Sequence, residues 1–417
     1  MGRIQSHLTT GLLVRTLLGL LFVFFILQLY PRIKFLHVKT VAIDPVREIH
    51  HIFLRLTPNG TSSAPGLMLD KDGRELPPPD FSSTVLPRVM SDTHIKVEPL
   101  ISTGSEDLNF PLHLDFPELV RKILANETVP VKPINRPGFP ILVPLPEKCQ
   151  PSSLVFNSHP DLLILIKSAP SHFALRDAIR IGWGDERCWG GRQVVRLFLS
   201  GTVSPNESNT AARLKREMEV FGDIIQQDFI DHYYNNTYKI MFGLEWAVQY
   251  CSNAPLIMFV DDDFFVYPKN VIAYVEGLSA GVLDRLVSGY VWSNATPIRV
   301  NRSFSGKWFM SKAEFPDSRY PPYVAAGNFF VSQQMARELY VASQYTRYMR
   351  FDDVFLGIIL KKMVRIPIHL KQIYAFTTIN QNSTAFRTII SSHRFHDPAL
   401  QLKAWDYLNC TQFCIKM

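Results

Sequence analysis

No run of lysine or arginine in this chain is long enough to read as a nucleic-acid arm. The 44 basic residues against 37 acidic ones leave a net charge of only +7, a mild excess without a polyanion-binding signal. Cysteine is scarce, and five in 417 residues exclude a small disulfide-framed scaffold. The C-terminal body carries neither a GxGxxG nor a P-loop, so any phosphate has to be held another way. Only one apolar run could span a bilayer, which excludes a multi-pass transporter. No internal repeat is visible. With 47% hydrophobic and 19% charged residues, wholesale disorder is excluded and the length allows two or three domains.

The one long apolar run is Gly11 to Tyr30, GLLVRTLLGLLFVFFILQLY, interrupted by Arg15. Its length matches one bilayer core. Pro31-Arg32-Ile33-Lys34 follows it in place of a small-residue cleavage site, so an uncleaved signal anchor over 11–30 is favoured over a cleaved leader. Residues 1–10 would be a cytoplasmic tail. Basic residues flank the run on both sides and leave its orientation open. Eight N-x-S/T triplets, at Asn59, Asn126, Asn206, Asn235, Asn294, Asn301, Asn382 and Asn409, all lie downstream and favour a lumenal body. All five cysteines lie from Cys149 onward. They allow fifteen ways of making two bridges, and Cys410 and Cys414 are close enough to pair locally.

Residues 31–148 hold 17 of the 29 prolines and show no sustained periodicity, which reads as an extended lumenal stem with at most a short helix near Phe110–Leu124. From 149 to 417 the texture is that of an α/β domain. Apolar runs at Leu162–Lys167, Val194–Ser200 and Leu256–Val260 alternate with helical stretches at Ala174–Ile181, Ala211–Phe221 and Tyr238–Tyr250, which predicts a mostly parallel sheet. Ligands of such sheets bind at the carboxyl ends of strands.

The third run ends in Asp261-Asp262-Asp263, flanked by LIMFV and FFV. In extended chain Asp261 and Asp263 converge while Asp262 points away. Hard oxygen ligands with open positions suit Mg²⁺ or Mn²⁺, which can bridge a diphosphate. A solvated acidic turn is the plainer alternative, but burying acids between such flanks without a counter-charge is costly. A second pair, Asp352-Asp353, opens an apolar helix running to Lys362. Either could be an N-cap, or Asp352 could cap while Asp353 takes a proton from an acceptor hydroxyl as general base.

Five segments in order resemble the β1,3-glycosyltransferases, the family of β1,3-galactosyl- and N-acetylglucosaminyltransferases, closest to its brainiac-like invertebrate branch. They are ALRDAIRIGWG (174–184), the stretch 222–251, FVDDDFFV (259–266), KW followed by PPYVAAGNFFVS (321–332), and FDDVFLG (351–357). The resemblance covers roughly residues 149–410. It implies a GT-A type nucleotide-sugar-binding domain in a single-pass type II Golgi membrane protein, a UDP-sugar donor, a Mn²⁺ ion and inversion at the anomeric carbon. Carried over by position, Asp261 to Asp263 form the DxD motif: Asp261 and Asp263 serve the metal, and Asp261 and Asp262 lie beside the nucleotide. Asp353 matches the catalytic base. Arg176 and Arg180 match paired arginines near the nucleotide, with ion pairing to Asp177 and Asp185 as the structural alternative. Lys239 would meet the diphosphate, and Lys307, Trp308, Tyr323 and Gly327 would face donor sugar or acceptor. The branch has a histidine in a segment aligned with Ile373–Thr377, where this chain has none. His393 is the substitute third ligand and His369 the next choice.

The expected reaction is transfer of galactose or N-acetylglucosamine from UDP to the 3-hydroxyl of a glycan on lipid or protein. No nucleic-acid partner is expected. Two other classes remain: an inactive membrane-tethered carbohydrate-binding member, and a single-pass adhesion protein, which leaves both aspartate clusters without a role.

Overall fold

A computed structural model describes residues 114–135, 139–150, 159–300, 306–377, 379 and 383–415. The signal-anchor segment 11–30 and most of the proline-rich stretch lie outside the described residues. Among those described, no helix is long and apolar enough to cross a membrane.

Strands β1 (Ile141–Val143), β2 (Leu162–Lys167), β3 (Val194–Thr202), β4 (Ile224–Ile230), β5 (Leu256–Asp261), β7 (Val287–Trp292), β8 (Tyr323–Ser332) and β9 (Ile368–His369) form an eight-stranded sheet in the order β1-β4-β3-β2-β5-β8-β7-β9. β4, β3, β2 and β5 run parallel, as the alternation of apolar runs and helices predicts, while β8 lies antiparallel between β5 and β7. A small sheet joins β10 (Ile373–Tyr374), β11 (Ser391–Ser392) and β6 (Phe265–Val266) in that order.

Both faces of the large sheet are covered, which is why its strands read as unbroken apolar runs. Side chains still alternate along them. Leu163, Leu165, Ile257 and Phe259 enter one core, while Leu162, Ile164, Ile166, Met258 and Val260 enter the other. Helices α1 (Phe116–Leu124), α4 (Asn236–Tyr250), α7 (Gln333–Gln344) and α8 (Asp352–Lys362) fill the first core. Helices α2 (Phe173–Ile181), α3 (Ser208–Phe221), α5 (Pro268–Glu276) and α9 (Pro398–Tyr407) contribute to the second, and α6 (Ala280–Leu283) is a single turn beside it.

The folded body begins before residue 149. Phe116, Leu119 and Val120 of α1 are buried in the first core, and β1 pairs with β4. The α1 N-terminus is capped by Asp115 with proline in the first turn, as helix starts favour, so proline here marks an ordered element within the segment expected as stem. The cysteine pairing is also long-range. Cys149 is bonded to Cys251 and Cys188 to Cys414, while Cys410 is a buried free thiol. Cys414 therefore does not close a local loop with Cys410 but holds the C-terminal segment against the turn after α2.

Candidate functional site

The chain lays down β2, β3 and β4 in one direction, then returns to place β5 on the other side of β2. The carboxyl ends of β2 and β5 therefore flank the point where the winding reverses, where open α/β sheets bind ligands. Lys167 ends β2 and Asp261 ends β5, and the two are register partners, so both side chains leave the same face of the sheet. That face carries α8, whose first turn supplies Asp352. Lys167 Nζ lies 2.9 Å from Asp261 Oδ1 and 2.9 Å from Asp352 Oδ2. Burial alone would strip the lysine of its proton, but the two carboxylates reverse that and hold it charged. Burial also pushes the Asp261 carboxyl up, to about 7, against the pull of Lys167.

The three consecutive aspartates separate. Phe264 N–H donates to the Asp261 carbonyl at 3.2 Å, so the chain turns after Asp261 and is not the extended pair expected, although the Asp263 charge still helps to raise the Asp261 carboxyl. Asp261 faces Lys167. Asp262 is buried on the α2 side, with Oδ2 2.9 Å from His172 Nδ1, and this bond raises the histidine's pKa. Asp263 instead meets His393 and His396: its Oδ2 lies 3.2 Å from His393 Nε2 and 3.2 Å from His396 Nδ1. One ligand atom from each of these three residues lies within 4.8 Å of the others. Asp263 Oδ1 is buried without a hydrogen-bond partner, which in a folded protein calls for an explanation such as an ion. A carboxylate with two imidazoles suits Mn²⁺ and its first-row neighbours better than the all-oxygen preference of Ca²⁺ or Mg²⁺. The expected pairing of Asp263 with His393 is thus present. His396 joins it, while Asp261 gives Oδ1 to Lys167 and stays close enough for its carboxyl to feel the Asp263 charge.

Gly327 of β8 serves this cluster indirectly. A Cβ there would sit 2.5 Å from the Phe264 ring, and Phe264 stacks on His393 with centroids 4.9 Å apart. Glycine lets β8 approach closely enough for that ring to back the histidine.

Asp353 lies one residue beyond the lysine-bound Asp352. Neither aspartate caps α8, because the N-cap position is Phe351 and both acids fall in the first turn. Asp353 Oδ1 accepts the Val354 N–H at 2.8 Å. Burial, then the adjacent Asp352 charge, push its carboxyl up to about 7. A base with that pKa is protonated and idle in mild acid. The acceptor kcat/KM is therefore expected to fall tenfold per unit of pH below about 7 and to level off above it. A flat profile between about pH 5.5 and 8 would remove Asp353 from the role.

Lys307 and Trp308 gather with Tyr233, a residue the sequence did not mark. Trp308 Nε1 donates to the Tyr233 hydroxyl at 3.1 Å, and Lys307 Nζ sits 4.4 Å from the Trp308 ring and 5.2 Å from the Tyr233 ring. Burial raises the Tyr233 hydroxyl to about 12, and Asp352, Asp353 and Asp261 add to that, so this aromatic group stands within the field of the carboxylates. Tyr323 of β8 is buried, and a Cβ on Gly357 of α8 would lie 2.6 Å from its own Cβ. That close approach packs α8 on the sheet, and the Tyr323 hydroxyl is raised by burial and then by Asp353.

Three basic residues expected at the nucleotide are committed elsewhere. Arg176, 1% exposed, holds Glu217 at 2.9 and 2.6 Å and also donates to Ser168 Oγ and to the carbonyls of Ala169 and Pro170. Arg180 pairs with Glu217, Asp223 and Asp177 at 2.7, 2.8 and 2.9 Å. The shared face of α2 is real, but it packs on carboxylates from α3 and the turn after it. Lys239 is buried, 2.9 Å from both Asp231 Oδ2 and the Ser168 carbonyl. Arg176 and Lys239 thereby brace the loop leaving β2. His369 stands apart from the Asp263 cluster, with Nδ1 accepting the Val291 N–H at 3.0 Å.

A galactosyltransferase family profile matches residues 174–371. The chain is 37% identical to the fruit-fly (Drosophila melanogaster) β-1,3-galactosyltransferase brn over 246 residues, 59% of this chain and 73% of that protein. It is 32% identical to the mouse (Mus musculus) β-1,3-galactosyltransferase 1, covering 69% of this chain and 84% of that one. A human acetylgalactosaminyl-O-glycosyl-glycoprotein β-1,3-N-acetylglucosaminyltransferase is 34% identical over 65% of this chain and 71% of its own. The family profile spans both aspartate segments, and the chain belongs to the β1,3-glycosyltransferase family, whose members transfer galactosyl or N-acetylglucosaminyl groups.

Proposed function

We propose that this glycosyltransferase moves galactose or N-acetylglucosamine from a UDP-sugar to the 3-hydroxyl of a glycan acceptor with inversion, in a GT-A type site that takes Mn²⁺. The observation that carries the reading is the cluster of Asp263, His393 and His396, with Asp263 Oδ1 buried and unpartnered, just after the strand whose last residue, Asp261, shares Lys167 with Asp352. Asp263, His393 and His396 would hold the ion. When bound, Mn²⁺ supplies positive charge to the leaving diphosphate.

This chain's own residues account for the rest. Lys167 fixes Asp352, and with it the first turn of α8, against the end of β5. That presents Asp353 as the base. It takes the proton of the acceptor hydroxyl, the freed oxygen bonds to the anomeric carbon, and the bond to the UDP oxygen breaks on the opposite face. An α-linked donor gives a β1,3 product. No second acid is required, because UDP leaves as a stable anion.

Soluble enzyme stripped with EDTA is expected to lose transfer, and added Mn²⁺ to restore it. Full turnover in EDTA would take the ion out of the scheme. The N-terminal apolar run and the downstream sequons support a type II membrane protein of the Golgi with the catalytic body in the lumen, acting on glycolipid or glycoprotein. Conversion of the full chain's glycans to endoglycosidase-resistant forms in cells reads that placement.

A further inference from the structure

Trp292 at the end of β7 and Phe376 just after β10 expose 37% and 44% of their surface. Their centroids are 5.0 Å apart at an interplanar angle of 56°. Tyr290, two residues before Trp292 and on the same face, backs both rings at 5.6 and 5.4 Å. His369 packs on Tyr290 at 5.1 Å. The Val291 N–H donates to His369 Nδ1, and the ring is held neutral by burial, then by Lys371, so its proton sits on Nε2 as a fixed donor beside the aromatic pair.

The position of this platform says what it meets. Trp292 is the register partner of Tyr323. Tyr323 lies five residues before Asn328, where β8 stops pairing with the end of β5, about 17 Å of strand past the carboxyl end. The platform therefore lies beyond the carboxyl end of β5, with Tyr290 packed against the second core. On its other flank, the Tyr374 carbonyl, two residues before Phe376, accepts the His393 N–H at 2.9 Å. The Phe376 side of the platform therefore neighbours the candidate metal cluster. Ile366, 87% exposed, lies before β9, which runs parallel to β7, so it sits toward the opposite end of β7 and does not extend the patch. Two tilted rings rimmed by a fixed N–H donor match a hexopyranose, which has an apolar C–H face and hydroxyls around its edge.

We propose that Trp292 and Phe376 are an acceptor subsite that stacks on the second sugar of the acceptor, the one linked to the sugar that receives the transfer. The subsite rests on the transfer reading above. It selects acceptors by length, favouring a disaccharide end over a single sugar.

The test measures UDP release with Mn²⁺ and each UDP-sugar, using methyl β-galactoside, methyl β-N-acetylglucosaminide, methyl β-lactoside and methyl β-N-acetyllactosaminide. Methyl aglycones avoid a false aromatic partner. The wild type is expected to use a disaccharide with about tenfold higher kcat/KM than its matching single sugar. In Trp292→Ala that ratio falls to near one through KM, Trp292→Phe keeps most of it, and Ile366→Ser keeps all of it. Transfer with no disaccharide advantage, or an advantage that Trp292→Ala preserves, overturns the subsite and leaves the transfer reading standing. Vesicle binding lost in Trp292→Ala with the sugar ratio intact makes the patch a lipid contact and also overturns it. No transfer to any glycoside overturns the subsite together with the reading beneath it.

Discussion

Asp353→Asn is expected to cut kcat about a thousandfold while UDP binding changes less than about twofold, the size of effect that loss of a positioned general base produces. The substitution keeps the shape of the side chain and its bond to the Val354 N–H. It also removes a carboxyl that burial and Asp352 hold far above its usual range. The melting temperature should therefore stay level or rise. Activity lost together with stability would mean that the helix start had been damaged. Full turnover in a stable Asp353→Asn protein would leave the proton with another group.

Lys167→Met is expected to act in the opposite way, on the fold first. Lys167 is 3% exposed at its side chain and is shared by Asp261 and Asp352, which keep 33% and 14% of theirs. Breaking a buried pair by removing one partner costs about 3–5 kcal/mol. The solvent that still reaches Asp261 places this case nearer about 2–3 kcal/mol. For a body of this size that is a melting shift of roughly 5–10 °C. The sign of its pH dependence separates charge from packing. A carboxyl left without its lysine has a folded pKa above its unfolded one, so it destabilises at high pH and the penalty fades as protonation sets in. The deficit against wild type should therefore be largest above about pH 7 and shrink toward about pH 5. A deficit independent of pH would mean that only packing had been lost.

Much of this site was legible in sequence because its parts lie at predictable places on elements. Apolar runs over 162–167 and 256–260 became adjacent central strands, and the aspartates that close the second run sit at its carboxyl end. FDDVFLG opened a helix as expected. The missed features are long-range ones. Lys167 entered the sequence reading only as the last residue of an apolar run, and only its register with Asp261 makes it the partner of two acids. His396 follows His393 by three residues, and between them Arg394 takes a positive φ of 73°, a turn that no hydrophobic period announces. Arg176 and Arg180 do share one helix face, but their partners Glu217 and Asp223 come from about forty residues away. Proline density suggested a stem up to residue 148, yet α1 uses proline to start a helix whose apolar side fills the core.

The most direct test of the whole account is product analysis. The folded body, supplied with Mn²⁺, UDP-galactose or UDP-N-acetylglucosamine and a glycan acceptor, is expected to yield a product whose NMR spectrum shows a new β linkage at the acceptor's 3-position. An α linkage, attachment at another hydroxyl, or UDP release with no glycosylated product would contradict it.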